Sequence, residues 1–107
     1  MDKYFKLAED LSVAFAAALP MADTEDGGTC NLDSMTLYLP RWPEGKVRTA
    51  AMHAGLDCWR KTGFGQPCYV FTVPVSRQAN ARTRQAESMR NIMRERGYQT
   101  GMHYQMD

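Results

Sequence analysis

The chain has 107 residues, close to the commonest size of one domain, and this length predicts a single core. Thirteen Lys and Arg against twelve Asp and Glu leave a net charge of +1, which argues against a protein whose main partner is the phosphate backbone of a nucleic acid. The three cysteines, Cys30, Cys58 and Cys68, form no CxxC pair, so neither a zinc site nor a complete disulfide framework is expected.

The N-terminal segment is also informative about location. Lys6, Glu9 and Asp10 interrupt it, so it has neither the unbroken apolar run of a signal peptide nor the length of a membrane span. We therefore expect a cytoplasmic protein that has no membrane partner.

Charge is distributed unevenly along the chain. Residues 1–45 carry three basic and eight acidic side chains, a balance of −5, whereas residues 46–107 carry ten basic and four acidic ones, a balance of +6. Two interpretations stay open. The halves attract each other within one domain or between subunits, or the Arg-rich half forms an anion site.

Apolar periodicity predicts the elements in chain order. Residues 3–19 read as a helix closed by Pro20, with one apolar stripe, and residues 21–28 as an acidic, glycine-ended loop. Residues 29–39 alternate as a strand does. The members of the helical stripe are Tyr4, Ala8, Leu11, Phe15 and Ala18.

Four further elements follow. Residues 46–61 predict a second helix with Cys58 on its apolar stripe, and the β-branched and aromatic residues 66–73 predict a strand. A third, Arg-rich helix is expected over residues 79–96, with Gly97 as its C-terminal cap. The alternating tail, residues 98–106, predicts a last strand.

This order predicts an α/β fold: a small, three-stranded, largely parallel sheet with about three helices. The connections between strands would be right-handed crossovers. The N-terminal helix, residues 1–20, would cover the β-α-β-α-β core of residues 29–107 or swap onto a neighbouring subunit.

Ligands of open α/β sheets gather where strands end and helices begin, and two loops meet that description. Residues 40–43 offer Arg41 beside the large ring of Trp42, and residues 75–80 open the third helix. Arginines crowded at a helix N-terminus oppose the helix dipole by about 0.3 to 1 kcal/mol each, so they require a compensating anion. That anion is either a carboxylate of residues 23–26 or a phosphate group.

The phosphate interpretation predicts the binding residues. Arg82 and Asn80 would carry the contact, supported by Arg77, Gln78 and Thr83. Asn31, Asp33 and Trp42 complete the predicted ligand site. Because residues 26–33 precede the first strand, a parallel sheet would place them at the opposite edge from the arginine loops. A single site would then need either a polar strand middle that faces the ligand or a second subunit that brings its own loop across. The uneven charge favours the second alternative, so a homo-oligomer with shared sites is expected.

No catalytic constellation emerges from the residues. Cys30 would need a base, and the only histidines, His53 and His103, have no orienting motif around them. Asp26 and Asp33 lack the spacing of a calcium loop. The sequence therefore predicts a protein that is not an enzyme and has no cofactor or metal.

Five short motifs carry a family resemblance: "DGGTCNLD", "LPRW", "RQANARTRQAE", "GY" and "HYQMD". Their order resembles a family of small bacteriophage and prophage proteins, over about residues 24–107. The resemblance implies a phage setting, with a location in the cytoplasm of the host bacterium, and no mechanism. Small phage proteins of this size frequently counter host defence. It is compatible with a sponge for a phosphorylated or nucleotide immune signal, or with an inhibitor that contacts a host defence protein through its Arg-rich helix.

Overall fold

A computed structural model describes residues 2–18, 34–62, 67–72 and 79–103, with the side chains of the third helix described from Arg84 onward. Three helices and four strands lie in these ranges. In chain order they are α1 (Lys3–Ala18), β1 (Ser34–Leu37), α2 (Glu44–His53), β2 (Asp57–Lys61), β3 (Cys68–Thr72), α3 (Ala79–Glu95) and β4 (Thr100–His103).

The four strands form one sheet in the order β2-β3-β1-β4, and every neighbouring pair is antiparallel. Phe71 of β3 lies opposite Met35 of β1 and Cys58 of β2. The α/β class is confirmed, but the expectation of a three-stranded, largely parallel sheet is wrong. Strands β1 and β2 run in the same direction with β3 between them, which is the split β-α-β arrangement.

The error arises at residues 46–61, which the sequence analysis assigned to one helix. Helix α2 ends at His53, and the next residues form β2. Gly55 has a φ of 84°, its N–H donates to Met52 O, and the N–H of Leu56 donates to Ala51 O. These are the two hydrogen bonds of a Schellman cap, which satisfies the last carbonyls of the helix and turns the chain into the sheet. Cys58 is therefore a strand residue that faces the core.

Helix α1 packs against α2 and α3 of its own chain and contributes its apolar side to the core. It therefore covers the core, which is the first of the two placements expected from the sequence. Its buried stripe is rotated from the predicted one, because Tyr4 is only partly buried. Asp10 lies on the buried side with 1% of its surface exposed. The fully buried apolar residues of α1 are Leu7, Leu11, Ala14 and Ala18.

The antiparallel topology also changes which segments share an end of the sheet. Residue 34, where the chain enters β1, and Thr72, where it leaves β3, lie at the same end, whereas Leu37 lies at the other end beside Tyr69. The expected opposite placement of residues 26–33 and 75–80 depended on a parallel sheet and loses that basis. Residues 26–33 and 75–78 themselves lie outside the described residues. The loop with Trp42 follows Leu37 and lies at that other end.

Candidate functional site

The predicted ligand residues divide into three groups. Asn31, Asp33, Arg77 and Gln78 lie outside the described residues. Asn80, Arg82 and Thr83 fall in the first two turns of α3, where the structure gives the backbone alone. Trp42 is the one predicted residue with described side-chain contacts, and it lies at the far end of the sheet from the start of α3.

A tight turn presents Trp42. Its backbone N–H donates to Leu39 O at 3.2 Å, and Arg41 inside the turn has a φ of 68°. With Pro40 before it, this is the pattern of a type II turn, whose third position favours glycine. An arginine there holds its backbone in the left-handed region at a cost of about 1 to 2 kcal/mol.

The turn forms one wall of a pocket with a volume of about 410 Å³. That volume lies within the range of small-molecule sites. Arg41 approaches from the turn and Arg60 from the edge strand β2, and three proline rings supply flat apolar surface. We call this site the Trp42 pocket; its lining residues are Leu39, Pro40, Arg41, Trp42, Pro43, Glu44, Arg60, Pro67 and Tyr69.

The surroundings of Trp42 are rich in cations. Lys3 Nζ lies 4.7 Å from the centroid of the Trp42 ring, and the ring of Tyr4 meets that of Trp42 edge-on at 5.4 Å. In the part of the chain that the structure describes, no carboxylate lies in salt-bridge range of Lys3, Arg41 or Arg60. The nearby carboxylate of Glu44 pairs instead with Arg48, at 3.6 Å.

Two helices also begin at this end of the molecule. Lys46 lies near Tyr4, and Phe15 near Gly55, so α1 and α2 run in the same direction with their N-termini close to Trp42. Each N-terminus carries a partial positive charge equivalent to about half a unit. The N-cap residue of α2, Pro43, makes no side-chain cap hydrogen bond. The Asp2 carboxylate caps the start of α1, so it is the positive dipole end of α2 that adds to the field of Lys3, Arg41 and Arg60.

A buried hydroxyl fixes the turn against the sheet. The Tyr69 hydroxyl donates to Trp42 O at 2.8 Å, and only 4% of Tyr69 is exposed. Burial raises the pKa of Tyr69 above its usual value, so the hydroxyl remains a donor at neutral pH. Trp42 is thus held in place before any ligand binds.

A second charged cluster surrounds Asp10, which sequence reasoning missed. Lys6 Nζ and the Tyr98 hydroxyl donate to Oδ2, and Arg96 donates to Oδ1, each at 2.7 Å. These donors tie α1 to the end of α3. Because both carboxylate oxygens are occupied, the cluster has the character of a structural tie and not of a ligand site.

Sequence reasoning also missed Arg60, which falls within the helix predicted over residues 46–61. The signal that could have found it is "AGL" at residues 54–56, which resembles "RGY" at residues 96–98, where Gly97 was predicted as a cap. Gly97 does have that role: its φ is 98°, and the N–H of Tyr98 donates to Met93 O.

The two described cysteines are buried thiols. Burial raises the pKa of Cys58 to about 12 and also raises that of Cys68. Cys30 lies outside the described residues, as do Asp26 and Asp33. Among the residues that are described, no group of three or more His, Cys, Asp and Glu side chains is arranged to hold a metal ion.

No helix in the described ranges is both long and apolar enough to cross a lipid bilayer. Fold and site together define an α/β protein with a cationic, aromatic pocket at one end of an antiparallel sheet. Comparison of the chain with protein-family models, curated protein sequences and solved structures found no match. The proposal of function therefore depends on the geometry of the pocket itself.

Proposed function

We propose that the protein binds a small phosphorylated ligand of the nucleotide class in the Trp42 pocket and sequesters it without turnover. The observation that carries the proposal is a set of three cations that lack a carboxylate partner in the described residues. Arg41 and Arg60 line the pocket together with Trp42, and Lys3 lies over the Trp42 ring. In the phage setting implied by the sequence motifs, such a protein would act as a sponge for a nucleotide immune signal.

The two parts of a nucleotide match the two surfaces of the pocket. Arginine's planar fork binds phosphate oxygens through paired N–H groups, so Arg41 and Arg60 suit the phosphate. The base would lie against Trp42 and the proline rings, where burial of apolar surface is favourable. Lys3 already contacts the Trp42 ring and would move toward the phosphate or remain over the ring.

Sequestration without turnover is supported by the acid–base groups of the pocket. Its carboxylate, Glu44, is paired with Arg48, and its phenol, Tyr69, donates to a backbone carbonyl. The Tyr69 hydroxyl is engaged as a donor, and no histidine is among the described residues that line the pocket. A binding role for the pocket is therefore simpler than a catalytic one.

Calorimetric titration with pyrophosphate, ADP and a cyclic dinucleotide tests the proposal. A charge-assisted hydrogen bond contributes about 1.5 to 3 kcal/mol, so Arg60→Ala should weaken binding by about ten- to a hundredfold. Arg94→Ala is the matched control, because Arg94 is an exposed arginine of α3 that does not line the pocket. Equal affinity of the wild type and Arg60→Ala for every phosphorylated probe would refute the Trp42 pocket as the site.

The same titration separates the Trp42 pocket from the site predicted at the start of α3. If Arg82→Ala lowers the affinity and Arg60→Ala does not, the ligand binds near residues 77–83 and the sequence prediction holds instead. We expect Arg82→Ala to leave the affinity of the Trp42 pocket unchanged, because the two positions belong to opposite ends of the sheet.

A second candidate function is inhibition of a host defence protein through the Arg-rich helix. Its support is the exposure of Arg84 and Arg94 on α3. Arg96, the next arginine, is engaged with Asp10. Under this function, Arg94→Glu would abolish the protection of an infecting phage while leaving the affinity for phosphorylated probes unchanged.

A further inference from the structure

A groove of about 520 Å³ runs between α1 and α2, on the outside of the helical layer. Its floor includes Ala8 and Ala50, whose small side chains leave a gap between the two helices. Phe5 lies on the rim with 61% of its surface exposed. A large exposed aromatic beside a mostly apolar groove is typical of an interaction surface.

The charges along the α1–α2 groove differ between its two sides. Asp2 and Glu9 lie on the α1 side, and Lys46 and His53 lie on the α2 side. The Asp2 carboxylate accepts the backbone N–H of Tyr4 and so caps the start of α1. Within the described ranges, neither Glu9 nor Lys46 has an oppositely charged partner in salt-bridge range.

This arrangement is self-complementary under a two-fold axis. A two-fold axis that runs along the groove, parallel to the helices, places the α1 side of one copy against the α2 side of the other, and each contact occurs twice. Glu9 of one copy then meets Lys46 of the second copy, and the reverse pair forms at the same time. A partner of uniform charge would satisfy one side of the groove and repel the other.

We propose that the α1–α2 groove is the interface of a homodimer, in which Phe5 of each copy inserts into the groove of the other between Ala8 and Ala50. The proposal goes beyond ligand binding and does not depend on it. It gives the expected homo-oligomer a specific surface. A large aromatic side chain that fills a pocket near the centre of an interface is typical of a binding hot spot.

The dimensions of the surface limit the area that a dimer can bury. Helix α1 has 16 residues and is about 24 Å long, and two packed helices are about 20 Å wide. Each copy therefore offers an area on the order of 500 Å², below the roughly 800 Å² per partner of a standard interface. We expect a dimer that dissociates in the micromolar range.

Sedimentation equilibrium of the full chain, from micromolar to several hundred micromolar and without ligand, measures the association. Phe5→Ser should weaken dimerisation about thirtyfold or more, as loss of a hot-spot aromatic does. Val13→Ser is the matched control, since Val13 is a 41% exposed apolar residue of the same helix that does not line the groove. Circular dichroism confirms that each variant is folded.

A charge exchange tests the two-fold pairing itself. Glu9→Lys and Lys46→Glu should each weaken dimerisation about tenfold, because each single change sets like charges opposite one another. The double variant should regain most of the lost affinity. A structural role of either residue would not produce this recovery.

Three results would overturn the proposal. They are a monomer at every concentration, a dimer as strong in Phe5→Ser as in the wild type, and no recovery in the double charge variant when both single variants are weakened. None of them bears on the Trp42 pocket, whose test is ligand affinity in Arg60→Ala.

Discussion

Replacement of Asp10 by asparagine tests the charged tie between α1 and the end of α3. The change keeps the size of the side chain and removes its charge, and the carboxylate is 2% exposed while Lys6 and Arg96 are 51% and 40% exposed. Water can solvate both cations after the change, so each lost ion pair should cost about 1 kcal/mol. Asparagine keeps one side-chain oxygen, so the half-buried Tyr98 hydroxyl must compete with the two cations for a single acceptor. Together these losses should lower the free energy of unfolding by about 2 to 4 kcal/mol.

The pH dependence follows from the pKa of Asp10. Burial raises this pKa, but the hydrogen bonds from Lys6, Tyr98 and Arg96 lower it by more, so it lies below its ordinary value of 3.8. A group whose pKa is depressed by folding stabilises the fold above its unfolded pKa. That stability is lost as the pH falls below about 4 and through the folded pKa. The difference between the wild type and Asp10→Asn should therefore shrink from pH 7 to pH 3.

Urea unfolding followed by circular dichroism, at pH 7 and at pH 3, measures both effects. Glu44→Gln serves as the control, because the Glu44–Arg48 pair is exposed and 3.6 Å long and should contribute less than about 0.5 kcal/mol. Equal stability of Asp10→Asn and the wild type at pH 7, or a difference that does not change with pH, would refute the reasoning.

Three further predictions concern the backbone and the thiols. Arg41→Gly should raise the free energy of unfolding by about 0.5 to 1 kcal/mol, since φ is 68° there, and a loss of stability in urea would contradict the strain. Gly55→Ala should lower the free energy of unfolding by about 1 to 2 kcal/mol, because φ is 84° at that position. Gly45→Ala, in helix α2, should raise the free energy of unfolding by about 0.4 to 1 kcal/mol, because an added Cβ there meets no atom within 4 Å. Peptide-level mass spectrometry at pH 8 should find Cys58 unmodified by iodoacetamide in the folded protein and modified in urea, since burial holds its pKa at about 12.

The sequence predicted the helices and strands better than their arrangement. Three elements match closely: the predicted helix 3–19 is Lys3–Ala18, the strand 66–73 is Cys68–Thr72, and the helix 79–96 is Ala79–Glu95. Their apolar periodicity is strong, and packing does not override it. The alanines of residues 50–54 continue the apolar helical pattern as far as Cys58. The end of α2 could be predicted from the sequence only by treating Gly55 as a C-terminal cap, as was done for Gly97.

The sheet and the site depend on contacts that are distant in sequence. Because β2 was not predicted, the predicted chain had three strands joined by helices, and such connections favour parallel pairing. With β2 present, β2 and β3 follow one another without a helix between them, so they can pair antiparallel. Arg60 lines the Trp42 pocket because it lies on β2, which the sequence did not predict. The buried Asp10 carboxylate is satisfied by Arg96 and Tyr98, which lie 86 and 88 residues further along the chain. Arg41 and Trp42, by contrast, are adjacent, so the sequence alone predicted that pair.

Fluorescence of Trp42 tests the central claim most directly. The chain has two tryptophans, and Trp59→Phe leaves Trp42 as the sole fluorescent reporter. Trp59 lies on the edge strand β2 and does not line the pocket. Titration of this variant with pyrophosphate and with ADP should change the emission of Trp42 in a saturable way. The same titration with Arg41→Ala and Arg60→Ala added should require at least about tenfold more ligand. Unchanged Trp42 emission at saturating probe, or a response that is indifferent to both arginines, would contradict the account.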